Sequence, residues 1–71
     1  MEAKDFRPVV LVQHRASGFV NMFTRRYWDS LGERKHQTFH AVAFGNTPEE
    51  SAKLWKVRDD INRVLKRARD A

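Results

Sequence analysis

The first apolar run of the chain is Val9, Val10, Leu11 and Val12. Pro8 in front of it biases Arg7 toward extended backbone, and β-branched residues suit a pleated strand, so the run predicts a strand over residues 9–14. Ala16, Ser17 and Gly18 supply a turn. The stretch from Phe19 to Trp28 is rich in aromatic residues and poor in helix formers. It predicts a second strand over 19–28, long and bent, and hence a hairpin. Asp29 to Lys35 is the most charged and turn-like segment, an exposed connection between antiparallel strands. A third strand is predicted over 36–44, ended by Gly45 and Asn46.

The strongest local signal follows. Thr47 suits a helix cap, Pro48 the first helical position, and Glu50 the third, where it completes a capping box. Beyond it Leu54, Val57, Ile61, Val64, Leu65 and Ala68 recur at steps of three and four, one stripe of an amphipathic helix over 48–69. Glu49 and Glu50 at its start and Arg67 and Arg69 at its end suit the helix dipole. The predicted fold class is α+β: a three-stranded antiparallel sheet packed against one long C-terminal helix, in the order β-β-β-α. Residues 1–71 read as a single small domain, with 1–7 as a flexible lead.

The strands depart from simple alternation. A half-buried strand shows one apolar and one polar face. Here the second strand places Phe19, Phe23 and Tyr27 on one face and Val20, Met22 and Trp28 on the other, and the third sets Phe39, Ala41 and Ala43 against Val42 and Phe44. One helix covers one side of a three-stranded sheet. The pattern therefore predicts an uncovered face that meets a partner, with Phe19, Phe23 and Tyr27 as a stacking platform edged by Asn21 and Arg25. Cover by the N-terminal segment with Phe6, strand twist, or a homodimer through the same face are the alternatives.

Charge adds to this. Fourteen Lys and Arg against nine Asp and Glu give a formal charge of +5 and a pI near 10.3, a field that attracts phosphate or acidic partners. Arg15, Arg25, Arg26, Arg34 and Lys35 fall on the predicted hairpin and its following loop, and arginine forks onto phosphate or guanine edges. The plainer reading is solvated charge that deters edge-to-edge aggregation. Basic residues of the helix read as a solubilising face. Trp55 lies beside the apolar stripe, either folded over the sheet edge or anchoring a partner together with Phe19, Phe23 and Trp28.

Other chemistries find little support. The chain has no cysteine, hence neither disulfides nor thiolate chemistry, which fits a reducing, cytoplasmic setting. Its longest aliphatic run, four residues, is too short for a membrane span or a signal-peptide core. His36 and His40 on one strand stand about 13 Å apart, too far to share a metal ion. No phosphate loop or nucleophile elbow is present, and Asp59 and Asp60 diverge around a helix, so neither an enzyme nor a cofactor is expected.

The segment Phe39-His40-Ala41-Val42-Ala43-Phe44-Gly45-Asn46-Thr47-Pro48-Glu49-Glu50-Ser51-Ala52, a last strand running into a capped helix, resembles AP2/ERF-type DNA-binding domains and the related N-terminal domains of phage integrases. The resemblance covers about fourteen residues in motif and roughly residues 9–65 in topology. It implies a sheet lying in the major groove, with Arg15, Asn21, Arg25 and Arg26 facing DNA. The expected function is a small non-enzymatic protein that binds nucleic acid, DNA first, through Arg15, Asn21, Arg25, Arg26, Tyr27, Arg34 and Lys35. A regulatory factor of a phage or mobile element fits that size and charge. The alternative is a small phage-type protein that binds and modulates a host protein through the exposed sheet face.

Overall fold

β1 (Val9–His14) is the middle strand of the sheet, flanked by β2 (Val20–Thr24) on one side and β3 (Phe39–Gly45) on the other, both antiparallel to it. This follows from its sequence, since a strand buried on both faces reads as a continuous apolar run. Val10, Leu11 and Val12 are fully buried. The computed structural model describes residues 6–70; the lead expected over 1–7 lies largely outside them. The β1–β2 hairpin turns through Arg15 to Phe19, where the Gly18 N–H donates to the His14 carbonyl at 2.8 Å. Gly18 has φ of +81°, a conformation that an L side chain would strain.

The second and third strands are shorter than their patterns predict. β2 stops at Thr24, and residues 25–30 form a helix, α1 (Arg25–Ser30). The Thr24 hydroxyl caps it, accepting the Tyr27 N–H at 3.1 Å, and Arg25 pairs with Asp29 one turn on at 3.2 Å. A second helical turn, α2 (Lys35–Thr38), precedes β3, so His36, Gln37 and Thr38 are helical rather than extended. The order is β-β-α-α-β-α. β2 and β3 run parallel to each other on either side of β1, and such strands need a crossover rather than a tight turn.

That crossover corrects the expectation of an uncovered face. Val10 and Val12 point to one side of the sheet, where Trp28 of α1, 3% exposed, packs on them with Phe23, Leu31, Phe39 and Ala41 around it. Val9 and Leu11 point to the other side, toward α3 (Pro48–Asp70). A helix of 23 residues is about 34 Å long and crosses the whole sheet. Because α1 interrupts the alternation, Trp28 joins Phe23 on one face while Val20 and Met22 stay on the other. The sheet thus lies between two helical layers, which cover its centre on both faces and leave Tyr27, Val42 and Phe44 exposed at its margins.

α3 starts as its sequence predicts. The Thr47 hydroxyl accepts the Glu50 N–H at 3.1 Å, and the Glu50 carboxylate accepts the Asn46 N–H at 2.8 Å, one residue earlier than in the usual capping box. Farther along, Asn62 Oδ1 accepts the Val20 N–H and Asn62 Nδ2 donates to the Val20 carbonyl, both at 2.9 Å. The side-chain amide replaces a neighbouring strand. Asn62→Leu strips both partners and is expected to cost about 2 kcal/mol. Urea unfolding and faster exchange of the Val20 amide would measure it; an unchanged midpoint would mean that water replaces the amide at no cost.

Candidate nucleic-acid interface

The hydrogen bond from the Arg25 N–H to the Pro8 carbonyl, 2.8 Å, ties the start of α1 to the residues leading into β1. Arg7, Arg25 and Arg26 are thereby gathered at one end of the sheet. Adjacent positions on a helix diverge by about 100°, so the two α1 arginines reach different ground. Arg25 turns over the sheet, its guanidinium 4.8 Å from the centre of the Phe44 ring and 3.2 Å from the Asp29 carboxylate. Arg26 turns outward and, with Arg7, Pro8 and Thr24, lines a shallow hollow of about 340 Å³.

Two rings complete this end. Tyr27 is 51% exposed and stands edge-on to Phe23 at 5.1 Å between centroids. Phe44 is 42% exposed beneath Arg25. Phe44 belongs here because it pairs with Val10 and so points to the α1 side of the sheet, beyond the cover that Trp28 gives to Val10 and Val12. Guanidinium groups beside exposed rings combine a phosphate contact with a surface on which a base can stack.

The remaining candidates are placed elsewhere. Arg15 stands at the far end of β1, about 17 Å away along the strand. Its Nε donates to the His36 carbonyl at 2.8 Å, and it lines a second hollow of about 400 Å³ with His14, Ala16, Gln37 and Thr38. Arg34 is exposed just before α2. Lys35 turns inward: its Nζ donates to the Trp28 carbonyl at 2.8 Å and sits 4.5 Å from the centre of that indole. Asn21 is exposed on β2, with its Oδ1 accepting the Met22 N–H at 3.0 Å. The basic cluster expected on the hairpin and its following loop is therefore divided, with Arg25 and Arg26 at one end of the sheet, Arg15 at the other and Lys35 serving the core.

Of the four residues assigned to a partner, Trp28 is buried in the core, a correction that follows from α1 folding it back onto Val10 and Val12. Phe23 is half-buried beside it, and Phe19 is half-buried with the Arg69 guanidinium 5.3 Å from its ring centre. Trp55 alone is largely exposed, at 45%, on α3 with Arg58 above its ring. Arg7 and Phe44 were not among the sequence candidates. The register of β3 against β1 brings in Phe44, and the Pro8–Arg25 bond brings in Arg7.

No group of three or more metal-ligating side chains gathers among the described residues, and none of the helices is long and apolar enough to cross a membrane. Compared with protein-family models, curated proteins and solved structures, the chain matches none.

Proposed function

We propose that the protein binds nucleic acid through the end of the sheet that carries Arg25, Arg26, Tyr27 and Phe44. The observation behind this reading is the divergence of two consecutive arginines from a capped helix start, directly beside two exposed rings. The +5 charge of the chain supplies long-range attraction, and Arg15 and Arg34 extend it along the crossover side. Rings of this kind favour a strand whose bases are accessible, so single-stranded DNA is the first ligand to try and duplex DNA the second. The competing reading, a protein partner on a bare sheet face, has less to rest on, because Trp28 and α3 cover the middle of the sheet.

Fluorescence anisotropy with labelled single-stranded and duplex oligonucleotides tests this directly. With about three phosphate contacts, raising salt from about 50 to about 200 mM should weaken binding roughly 20-fold for single-stranded and roughly 40-fold for duplex DNA. Arg25→Ala combined with Arg26→Ala should weaken it by about tenfold or more, and Arg15→Ala by much less, since each lost contact to a charged group is worth about 1.5–3 kcal/mol at most. No binding of either ligand at the lower salt would sink the proposal.

A further inference from the structure

The two edges of the sheet are finished differently. The Arg15 N–H donates to the Thr38 carbonyl on the β3 side, and the His14 N–H donates to the Phe19 carbonyl on the β2 side. Backbone groups of odd residues in β1 therefore aim at β3, and those of even residues at β2. Directly opposed residues in an antiparallel pair either bond each other or both turn away. Val20 and Met22, opposite Gln13 and Leu11, thus point out from the free side of β2. Three of their four backbone groups are satisfied there: both of Val20 by Asn62, and the Met22 N–H by Asn21.

On β3 the outward residues are those opposite even positions of β1, namely Phe39, Ala41 and Phe44. The Phe39 N–H is taken by the Lys35 carbonyl. Those of Ala41 and Phe44 have no hydrogen bond from loops, helices or side chains among the described residues. The strand contains no Lys, Arg, Asp, Glu or Pro, the residues that usually guard a free edge, and its one guard is the bulge at Val42. One edge is largely capped and the other is open.

α3 presents an apolar flank toward that same open side, closest to β3 in its first half, before it crosses to β2 where Asn62 meets Val20. Seen from the α3 layer with β1 running upward, an L-chain sends the backbone groups of viewer-facing residues to the right, so β3 is on the right. α3 also runs upward: Gly45 meets Ser51 and Leu54 at the bottom, and Asn62 reaches Val20 near the top. In a right-handed helix with Leu54, Arg58, Ile61 and Leu65 toward the sheet, Val57 and Val64 lie about 70–90° round to the right. They are 39% and 65% exposed, and Val64 borders an almost wholly apolar hollow with Ile61 and Leu65. Val57 stands midway between the Leu54 and Asn62 levels. Val42, 46% exposed, stands midway along β3 where the ladder shifts register at Leu11 and Val12.

We infer that a second copy of this chain docks on this side, about a two-fold axis passing beside Val42 and Val57. Each β3 edge then meets the other antiparallel, giving a six-stranded sheet, and the α3 helices lie antiparallel on one face of it. One axis serves both layers because Val42 and Val57 are level. The same axis makes the charges complementary: Lys53 and Asp60 flank Val57 on the outer rim, four residues before and three after, so Lys53 of each copy faces Asp60 of the other and joins the Lys56 and Arg63 that already meet that carboxylate at 3.4 and 3.5 Å. The contact is isologous and closes on itself. It stands apart from the nucleic-acid reading, although it would set two arginine-bearing ends on the opposite face of one sheet.

Sedimentation equilibrium at tens of micromolar should give twice the 8.4 kDa of one chain. Val57→Lys with Val64→Lys should return the mass to a single chain while the helical circular dichroism is kept, because both side chains are exposed. Lys53→Asp or Asp60→Lys alone should weaken the dimer by tenfold or more, and the two together should restore it. Amides of Ala41 and Phe44 should exchange slowly in the dimer and fast in the valine variant. A mass of one chain throughout overturns the inference. A dimer indifferent to the Lys53–Asp60 exchange, with fast Ala41 and Phe44 amides, overturns it equally.

Discussion

Trp28→Ala is expected to remove about 3–5 kcal/mol of stability, the usual cost of deleting a large buried aromatic side chain. At about 0.05–0.15 kcal/mol per residue, 71 residues supply roughly 4–11 kcal/mol in total, so much of the population should be unfolded at ambient temperature. The effect is large because Trp28 is the lid of the α1 face: it covers Val10 and Val12, packs near Phe23, meets His36 edge-on at 5.7 Å, and anchors the Lys35 ammonium. Trp28→Phe keeps most of that area and should cost much less. Urea titration followed by far-ultraviolet circular dichroism distinguishes the two, and equal midpoints for wild type and Trp28→Ala would show that the crossover does not pack as described.

Gly45→Val should be the next most damaging change, by overpacking rather than by a cavity. A Cβ at this buried position would lie 3.0 Å from Val9 Cγ2, 3.2 Å from Leu54 Cδ1 and 3.2 Å from the Ser51 Cα. The side-chain atoms can shift, but the Ser51 backbone moves only if the first turns of α3 lift off the sheet. Overpacking of this kind costs about 1–3 kcal/mol, with Gly45→Ala at the lower end and Gly45→Val at or above the upper one. Thermal unfolding ranks them, and a Gly45→Val melting temperature equal to wild type would mean that α3 sits farther from β3 than its glycine allows.

Much of this architecture was legible from local pattern. Four consecutive apolar residues at Val9–Val12 mark a strand, and Thr47, Pro48 and Glu50 mark where α3 begins. The crossover was not. In residues 25–30 the aromatic pair Tyr27 and Trp28 imitates a strand, and the helix rests on the Thr24 cap, the Arg25–Asp29 pair and the burial of Trp28, the last a tertiary effect invisible in a short window. The unease that the sequence did show, a sheet apolar on two sides, was sound, and a second helical layer rather than a ligand accounts for it. For the candidate site, Arg25, Arg26 and Tyr27 could be named from residue type. Phe44 and Arg7 could not, because strand register and a single backbone hydrogen bond bring them to the same end. Val57 and Val64 belong to a helical stripe wider than the sheet beneath it, which is why its period is regular while part of it stays exposed.

The amide of Asn62 has a consequence for how this protein behaves in a crowd. A sheet with two unfinished rims is a monomer of a polymer: each addition recreates the surface that accepted it, and growth ends only when the supply does. With its carboxamide laid across Val20, Asn62 stoppers one rim. Whatever adds strand to strand at β3 then leaves behind it a rim already occupied at Val20, which works against further growth. The same leucine substitution that costs stability would also remove the stopper, and fibrous aggregates would be the visible sign that a single side chain had been keeping the count finite.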